Sequence, residues 1–138
     1  MPSLTLAEAE KIIEGTKAKI ETMSAKMCIA VVDARGDLKA MIRQDGAPWR
    51  SVLICQGKAA ASAAWLRPSG ELTDNAQAPV SRGLMAMLGG RMIPGQGALP
   101  VFKDGEMVGA VGGSGGASQE DEDVARAGIE AAGLSTTA

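Results

Sequence analysis

Apolar positions recur at helical spacing near the amino terminus, where Leu6, Ala9, Ile13 and Ile20 follow a 3.6-residue repeat. Thr5 and Glu8 form a T-x-x-E capping box at its start, a pair whose side chains satisfy free N–H groups of a first helical turn. The pattern predicts a helix from about Leu6 to Met23, with Glu10, Lys11, Glu14 and Lys17 on a solvated face. The period then changes. Met27 to Val32 is an unbroken apolar run of strand length, and Asp33-Ala34-Arg35-Gly36 has turn chemistry. Leu38, Ala40 and Ile42 next alternate with Lys39, Met41 and Arg43, the period of a strand with one wet side. Together these segments read as a β-hairpin.

Asp45-Gly46 ends that strand, and Pro48 opens a helix because its missing N–H and fixed φ suit a first turn. The Ala-rich stretch from Ser51 to Leu66 is read as helical, with Pro68 as its stop. Leu72 to Leu88 reads as shorter helical pieces interrupted at Pro79 and ended by Gly89-Gly90. Beyond a loop at Gly95-Gln96-Gly97, the runs Leu99 to Phe102 and Met107 to Val111 flank Asp104-Gly105, a hairpin signal. Gly112 to Gly116 is glycine-rich enough to predict that regular strand stops there. Ser118 is read as the cap of a last helix whose first turn carries Glu120, Asp121, Glu122 and Asp123. That helix buries Val124, Gly128, Ile129 and Ala132 before Gly133 ends it. Helix, hairpin, helices, hairpin, helix is the order of an α+β fold, with helices packed on a mainly antiparallel sheet. No repeat or linker divides the chain, so residues 1–138 read as one domain.

Composition changes that picture in one respect. The 138 residues include 18 Gly and 8 Met but only 2 Trp, 1 Phe and no Tyr, so the core is built from small and flexible side chains. Each of these buries little area, and association into a homo-oligomer is the expected source of further burial. Fourteen Lys and Arg against sixteen Asp and Glu give a charge of −2, with no basic footprint and almost no aromatics for nucleic acid. No apolar stretch nears the roughly 20 residues that span a bilayer, and the N-terminus lacks a basic-then-apolar leader. A cytoplasmic location is therefore expected, with Cys28 and Cys55 reduced, since they have no CxxC spacing.

Three segments resemble the GlcG/HbpS family, which is related to the C-terminal domain of PduO-type proteins. They are the hairpin Ile29-Ala30-Val31-Val32-Asp33-x-x-Gly36, the helix segment Lys58-Ala59-x-x-Ser62-Ala63, and Gly109 through Gly116 followed by Asp121. Gly90-Arg91-Met92-Ile93-Pro94 through Leu99-Pro100-Val101 is similar to the family's loop before the second hairpin, and the likeness runs from about Leu4 to Leu134. The resemblance implies a sheet of about five mainly antiparallel strands, assembly into dimers or larger rings, and haem as one ligand of the family. The chain contains neither His nor Tyr, so only Met and Cys remain as axial ligands; no cofactor is required by the residues themselves.

The candidate chemistry lies around the glycine-rich exit. Gly113, Ser114 and Gly115, with their backbone amides, are candidates to bind a ligand carboxylate, beside Asp121 or Glu122. Lys58, in an otherwise apolar helix, is a candidate proton carrier or imine-forming amine. Arg43 and Arg50 are candidates for bidentate carboxylate binding. No metal site is expected, because the acidic run Glu120 to Asp123 lacks calcium-loop spacing and zinc would need an uncommon ligand set. Two functions follow. One is a small oligomeric accessory protein holding haem or a carboxylated metabolite near the Gly-rich loop. The other is a cofactor-free lyase, isomerase or hydrolase in which Lys58 and Asp121 or Glu122 move protons.

Overall fold

The capping box forms as the sequence predicts: Thr5 Oγ1 accepts from the Glu8 N–H at 3.1 Å, and the Glu8 carboxylate accepts from the Thr5 N–H at 2.9 Å. In the computed structural model, which describes residues 2–138, this first helix, α1, spans Leu6–Ile20. It stops short of Met23, and the Thr22 hydroxyl turns back onto the Lys19 carbonyl at 2.7 Å, satisfying one acceptor of the last turn. There follow β1 (Cys28–Asp33), β2 (Leu38–Arg43), α2 (Arg50–Trp65), a 3₁₀ helix (Ser69–Asn75), α3 (Pro79–Met87), β3 (Ala98–Lys103), β4 (Glu106–Ser114) and α4 (Ser118–Ala131). Pro79 stands in the first turn of α3, where its ring suits the backbone. Leu66 caps α2 in the left-handed region at φ 56°, and Pro68 follows.

The strands form one antiparallel sheet in the order β2-β1-β4-β3. Its four strands correct the expectation of five. The carboxy-terminal tail adds only a single bridge at the β3 edge, where Phe102 and Ser135 exchange two backbone hydrogen bonds of 2.7 and 3.1 Å. A second correction concerns Gly112 and Gly113, which continue β4 as regular strand up to Ser114. The missing side chains serve close approach instead of irregularity. A Cβ on Gly112 would collide with the Cys55 carbonyl of α2, and one on Gly113 would stand 2.9 Å from the Asp121 carbonyl oxygen of α4. Third, the cap of α4 is Ala117, one residue before Ser118, and its N–H is taken by the Glu120 carboxylate at 2.9 Å.

The alternation of β1 sorts the core into two unlike halves. Ile29 and Val31 join Val111, Leu99 and Val101 against Ile12, Ile20, Val124 and Ile129, so α1 and α4 cover one face with large aliphatic side chains. Cys28, Ala30 and Val32, with Ala110 of β4, meet Cys55, Ala59 and Ala63 of α2 on the other. Because that second half is built from small residues, α2 rides close to the sheet.

Closeness makes the glycine at 112 a test of the architecture. Gly112→Ala is expected to cost about 1–3 kcal/mol, the usual range for overpacking, read as a lower urea midpoint at unchanged slope.

Candidate functional site

Lys58 lies in the middle of α2 and is buried. Its aliphatic stem passes the end of the β3–β4 pair, and Nζ donates to the Gly113 carbonyl at 3.1 Å and to Asp121 Oδ2 at 3.1 Å. The passage exists because Gly97 lacks a side chain; a Cβ there would stand 2.7 Å from Nζ. Asp121 Oδ1 accepts from the Gly116 N–H at 2.9 Å, so both carboxylate oxygens are bonded. The side chains retain 9% and 3% of their accessible surface, and the pair joins α2 on one face of the sheet to α4 on the other. Burial pushes the Asp121 carboxyl above its usual range, against the lowering pull of the Lys58 charge and the Gly116 N–H.

The two thiols are sealed beneath α2. Burial raises Cys28, and it pushes Cys55 up to about 12. Neither supplies a thiolate near neutral pH. Among the described residues no group of three or more His, Cys, Asp or Glu gathers as a metal site, and no helix is long and apolar enough to cross a membrane.

A cleft of about 450 Å³ opens on the far side of α2 from the sheet's glycine-rich end. Leu53, Gln56, Ala60 and Ala64 form its floor from α2, the β1–β2 turn contributes Arg35, Gly36, Asp37 and Leu38, and Leu88 to Ile93 close the third side. The Asp33 carboxylate shapes the turn by accepting from the Arg35 and Asp37 N–H groups at 2.9 and 3.1 Å. Gly36, at φ 92°, faces Ala60, and a Cβ added to it would stand 3.5 Å from Ala60. Arg35 meets Asp37 at 3.6 Å from an exposed position, and Arg91 Nε donates to the Leu88 carbonyl at 2.9 Å.

Of the residues singled out in the sequence, the structure brings together Lys58, Asp121 and Gly113. Ser114 is buried in the last ladder position of β4 opposite Cys28, and Gly115 packs at φ 125° against the Lys26 carbonyl. Glu122 points away, 3.7 Å from Arg126. Arg43 donates to the Ala47 carbonyl at 3.2 Å and borders an open depression with Lys17, Glu21 and Lys26, while Arg50 is exposed at the start of α2. The arginines at the cleft, Arg35 and Arg91, were missed. Both sit beside glycines that look like plain turn punctuation, and the available signal was the absence of charge along the solvent side of α2, between Arg50 and Arg67.

A family model described as haem degrading protein HbpS-like matches residues 4–130. The uncharacterized 15.0 kDa protein in the dhaT-dhaS intergenic region of Citrobacter freundii is 32% identical over 129 residues, covering 93% of this chain and 91% of that protein. A crystal structure of HbpS shares 30% of its sequence at a TM-score of 0.83, over 94% of this chain and 90% of the other. The crystal structure of a PduOC–haem complex aligns at a TM-score of 0.87 over 99% and 100% of the two chains; at 24% identity that likeness is one of fold.

Two outcomes follow from the buried groups. Lys58→Met strands a buried carboxylate and is expected to cost about 3–5 kcal/mol in urea unfolding, whereas Lys58→Met combined with Asp121→Leu recovers most of that loss. Between pH 9.0, where an ordinary thiol titrates, and about 12, the unfolded Cys55 is ionised while the folded one keeps its proton. The folded state then binds more protons, so this group's contribution to stability falls as pH rises through the window. Ellman titration at pH 8 should find neither thiol in the native protein and both after denaturation.

Proposed function

This chain belongs to the HbpS-like family, and on that premise we propose that it binds a small molecule with an apolar body and carboxylate groups in the cleft between the β1–β2 turn and α2. The observation that carries the reading is the cleft's combination of size and lining. Its volume of about 450 Å³ lies within the roughly 300–1,000 Å³ common for small-molecule sites. Val32, Leu38, Leu53, Ala60 and Ile93 offer an apolar surface, and Arg35 and Arg91 offer two planar guanidiniums. A guanidinium matches a carboxylate with two parallel hydrogen bonds. Neither arginine has a strong partner to abandon: the exposed Arg35–Asp37 pair is worth about 0–1 kcal/mol at most, and Arg91 holds one carbonyl.

The family description names haem, and the donor set can be tested against it. The chain has no His or Tyr, and among the described residues no Met or Cys lines the cleft. Cys28 and Cys55 are buried and protonated, and Met92 is packed with Ala61 and Leu72. These residues do not fit an iron ligated by the protein at this cleft. They fit the organic part of such a ligand, a flat apolar macrocycle with carboxylate arms. In this reading Lys58, Asp121, Gly113, Ser114 and Gly115 fix α2 as the cleft's floor, and Glu122, Arg43 and Arg50 lie outside the contact.

Titration with haemin and with metal-free protoporphyrin IX, followed by absorbance and fluorescence, tests this. Both should bind saturably with affinities within a few fold of each other, and Arg35→Glu combined with Arg91→Glu should weaken both by tenfold or more, about 1.4 kcal/mol. Haemin binding without protoporphyrin binding, saturable binding of neither, or indifference to the double substitution sinks the proposal.

A further inference from the structure

A second hollow, of about 370 Å³, lies between the end of α2, the 3₁₀ helix, α3 and the chain that follows it. Alternate residues from Arg91 to Pro94 line the two spaces: Arg91 and Ile93 face the cleft, and Met92 and Pro94 border the hollow. That segment is their common wall. Three sides of the hollow are held by hydrogen bonds to α2 or to β3 and the loop before it. The Ser69 hydroxyl donates to the Gly95 carbonyl at 2.6 Å and accepts from the Ala98 N–H at 2.9 Å, which seats the 3₁₀ helix. The Ile93 N–H donates to the Gly57 carbonyl of α2 at 2.9 Å. At the end of α2, the Ser62 hydroxyl donates to the Arg67 carbonyl at 2.7 Å and fixes the backbone from which the Arg67 side chain leaves.

The lining has two unlike parts. The buried Leu72 and Met92, with Met85 and the indole of Trp65, make an apolar part with one aromatic plane. Thioether side chains are flexible and polarizable, and they repack readily around a flat guest. The polar part is cationic. Arg67 borders the hollow, and among the described residues its guanidinium has no ion pair. Val80 and Ser81 in the first turn of α3 border it too, and no side chain caps that helix, so its positive end adds to the same field. Among the described residues no Asp or Glu lines this space to cancel it. The open depression beside Arg43 differs in that respect, since Glu21 and Asp45 stand there among Lys17, Lys26 and Arg43.

We infer that this hollow is a second ligand site, for a small carboxylate whose flat apolar body lies against Trp65 while its anionic end meets the Arg67 guanidinium. Its volume of about 370 Å³ stands at the lower end of the roughly 300–1,000 Å³ common for small-molecule sites, so the guest has one or two rings and is no macrocycle. The planar fork of Arg67 offers a carboxylate two parallel hydrogen bonds, and the indole offers its face to the ring. The site stands apart from the cleft reading, because it uses none of the side chains assigned to the porphyrin-like ligand.

Trp65 itself reports the test. Trp49→Phe, at an exposed position, leaves Trp65 as the sole tryptophan. The probe is 4-nitrobenzoate, a flat carboxylate whose nitro group quenches indole emission on contact, with 4-nitrobenzamide as its uncharged counterpart. The carboxylate should quench Trp65 saturably with a dissociation constant of about 1 mM or below, and the amide should bind about fivefold more weakly or worse. Adding Arg67→Gln should weaken the carboxylate by about tenfold or more and leave the amide within about twofold, with an unchanged circular dichroism spectrum. Adding Arg35→Glu with Arg91→Glu instead should leave both curves in place. Absence of saturable quenching, equal affinity for carboxylate and amide, or indifference to Arg67→Gln overturns the site. Binding lost only in the Arg35 and Arg91 variant assigns the carboxylate to the cleft and overturns it as well. Quenching that behaves as expected in a protein that takes no porphyrin keeps this site and removes the cleft reading alone.

Discussion

One ion pair crosses this fold from side to side. Lys58 starts in the helix above the sheet, and Asp121 starts in a helix below it. Two charges that deep are costly to desolvate, and their attraction offsets the cost only when geometry is good and the remaining bonding sites are filled. Here they are filled by the Gly113 carbonyl and the Gly116 N–H. The requirement propagates outward. Gly97 must lack a side chain to admit the lysine, Gly113 must lack one so that α4 and Asp121 sit close beneath the strand, and Gly112 must lack one so that α2 sits low enough for the lysine to reach. A string of glycines that looks like a flexible loop in the sequence is thus a rigid consequence of one buried contact.

The height of α2 then decides the rest of that face. Small residues on both surfaces bring the helix down, the β1–β2 turn approaches Ala60 through Gly36, and Gly57 leaves room for Ile93. The cleft is the space left between these three approaches. On the opposite face, Ile, Leu and Val fill the gap between sheet and helices, and no comparable hollow is needed to explain how α1 and α4 pack. One sheet therefore carries two chemically distinct interiors, a bulky one that stabilises and a thin one that leaves an opening.

Most of the fold was legible because local signals and global order agreed. The Thr5–Glu8 box, the two hairpins and the stops at Pro68 and Gly133 all correspond to observed boundaries or turns. The glycines of β4 were misread because composition records their flexibility and not their neighbours; that Cys55 and Asp121 lie against them is a tertiary fact. The same limit applies to the site. Lys58 and Asp121 were recognisable as unusual residues in their helices, but 63 positions separate them, and no periodicity states that they meet. Arg35 and Arg91 resembled surface turn residues because that is their local chemistry; only the fold puts them on one cavity.

α3 has a consequence of another kind. It is nine residues long and buries none of them, and isolated helices shorter than about 12 residues are marginal in water. Its hold on the fold is shallow: Leu84 and Met85 are half-buried and pack on the small cluster of Ala61, Leu72 and Met92. Its amides exchange with solvent by local opening, ahead of those of the sheet. Leu88 to Ile93, the third side of the cleft, follow it directly, so that wall hangs from the shallowest-packed helix of the fold.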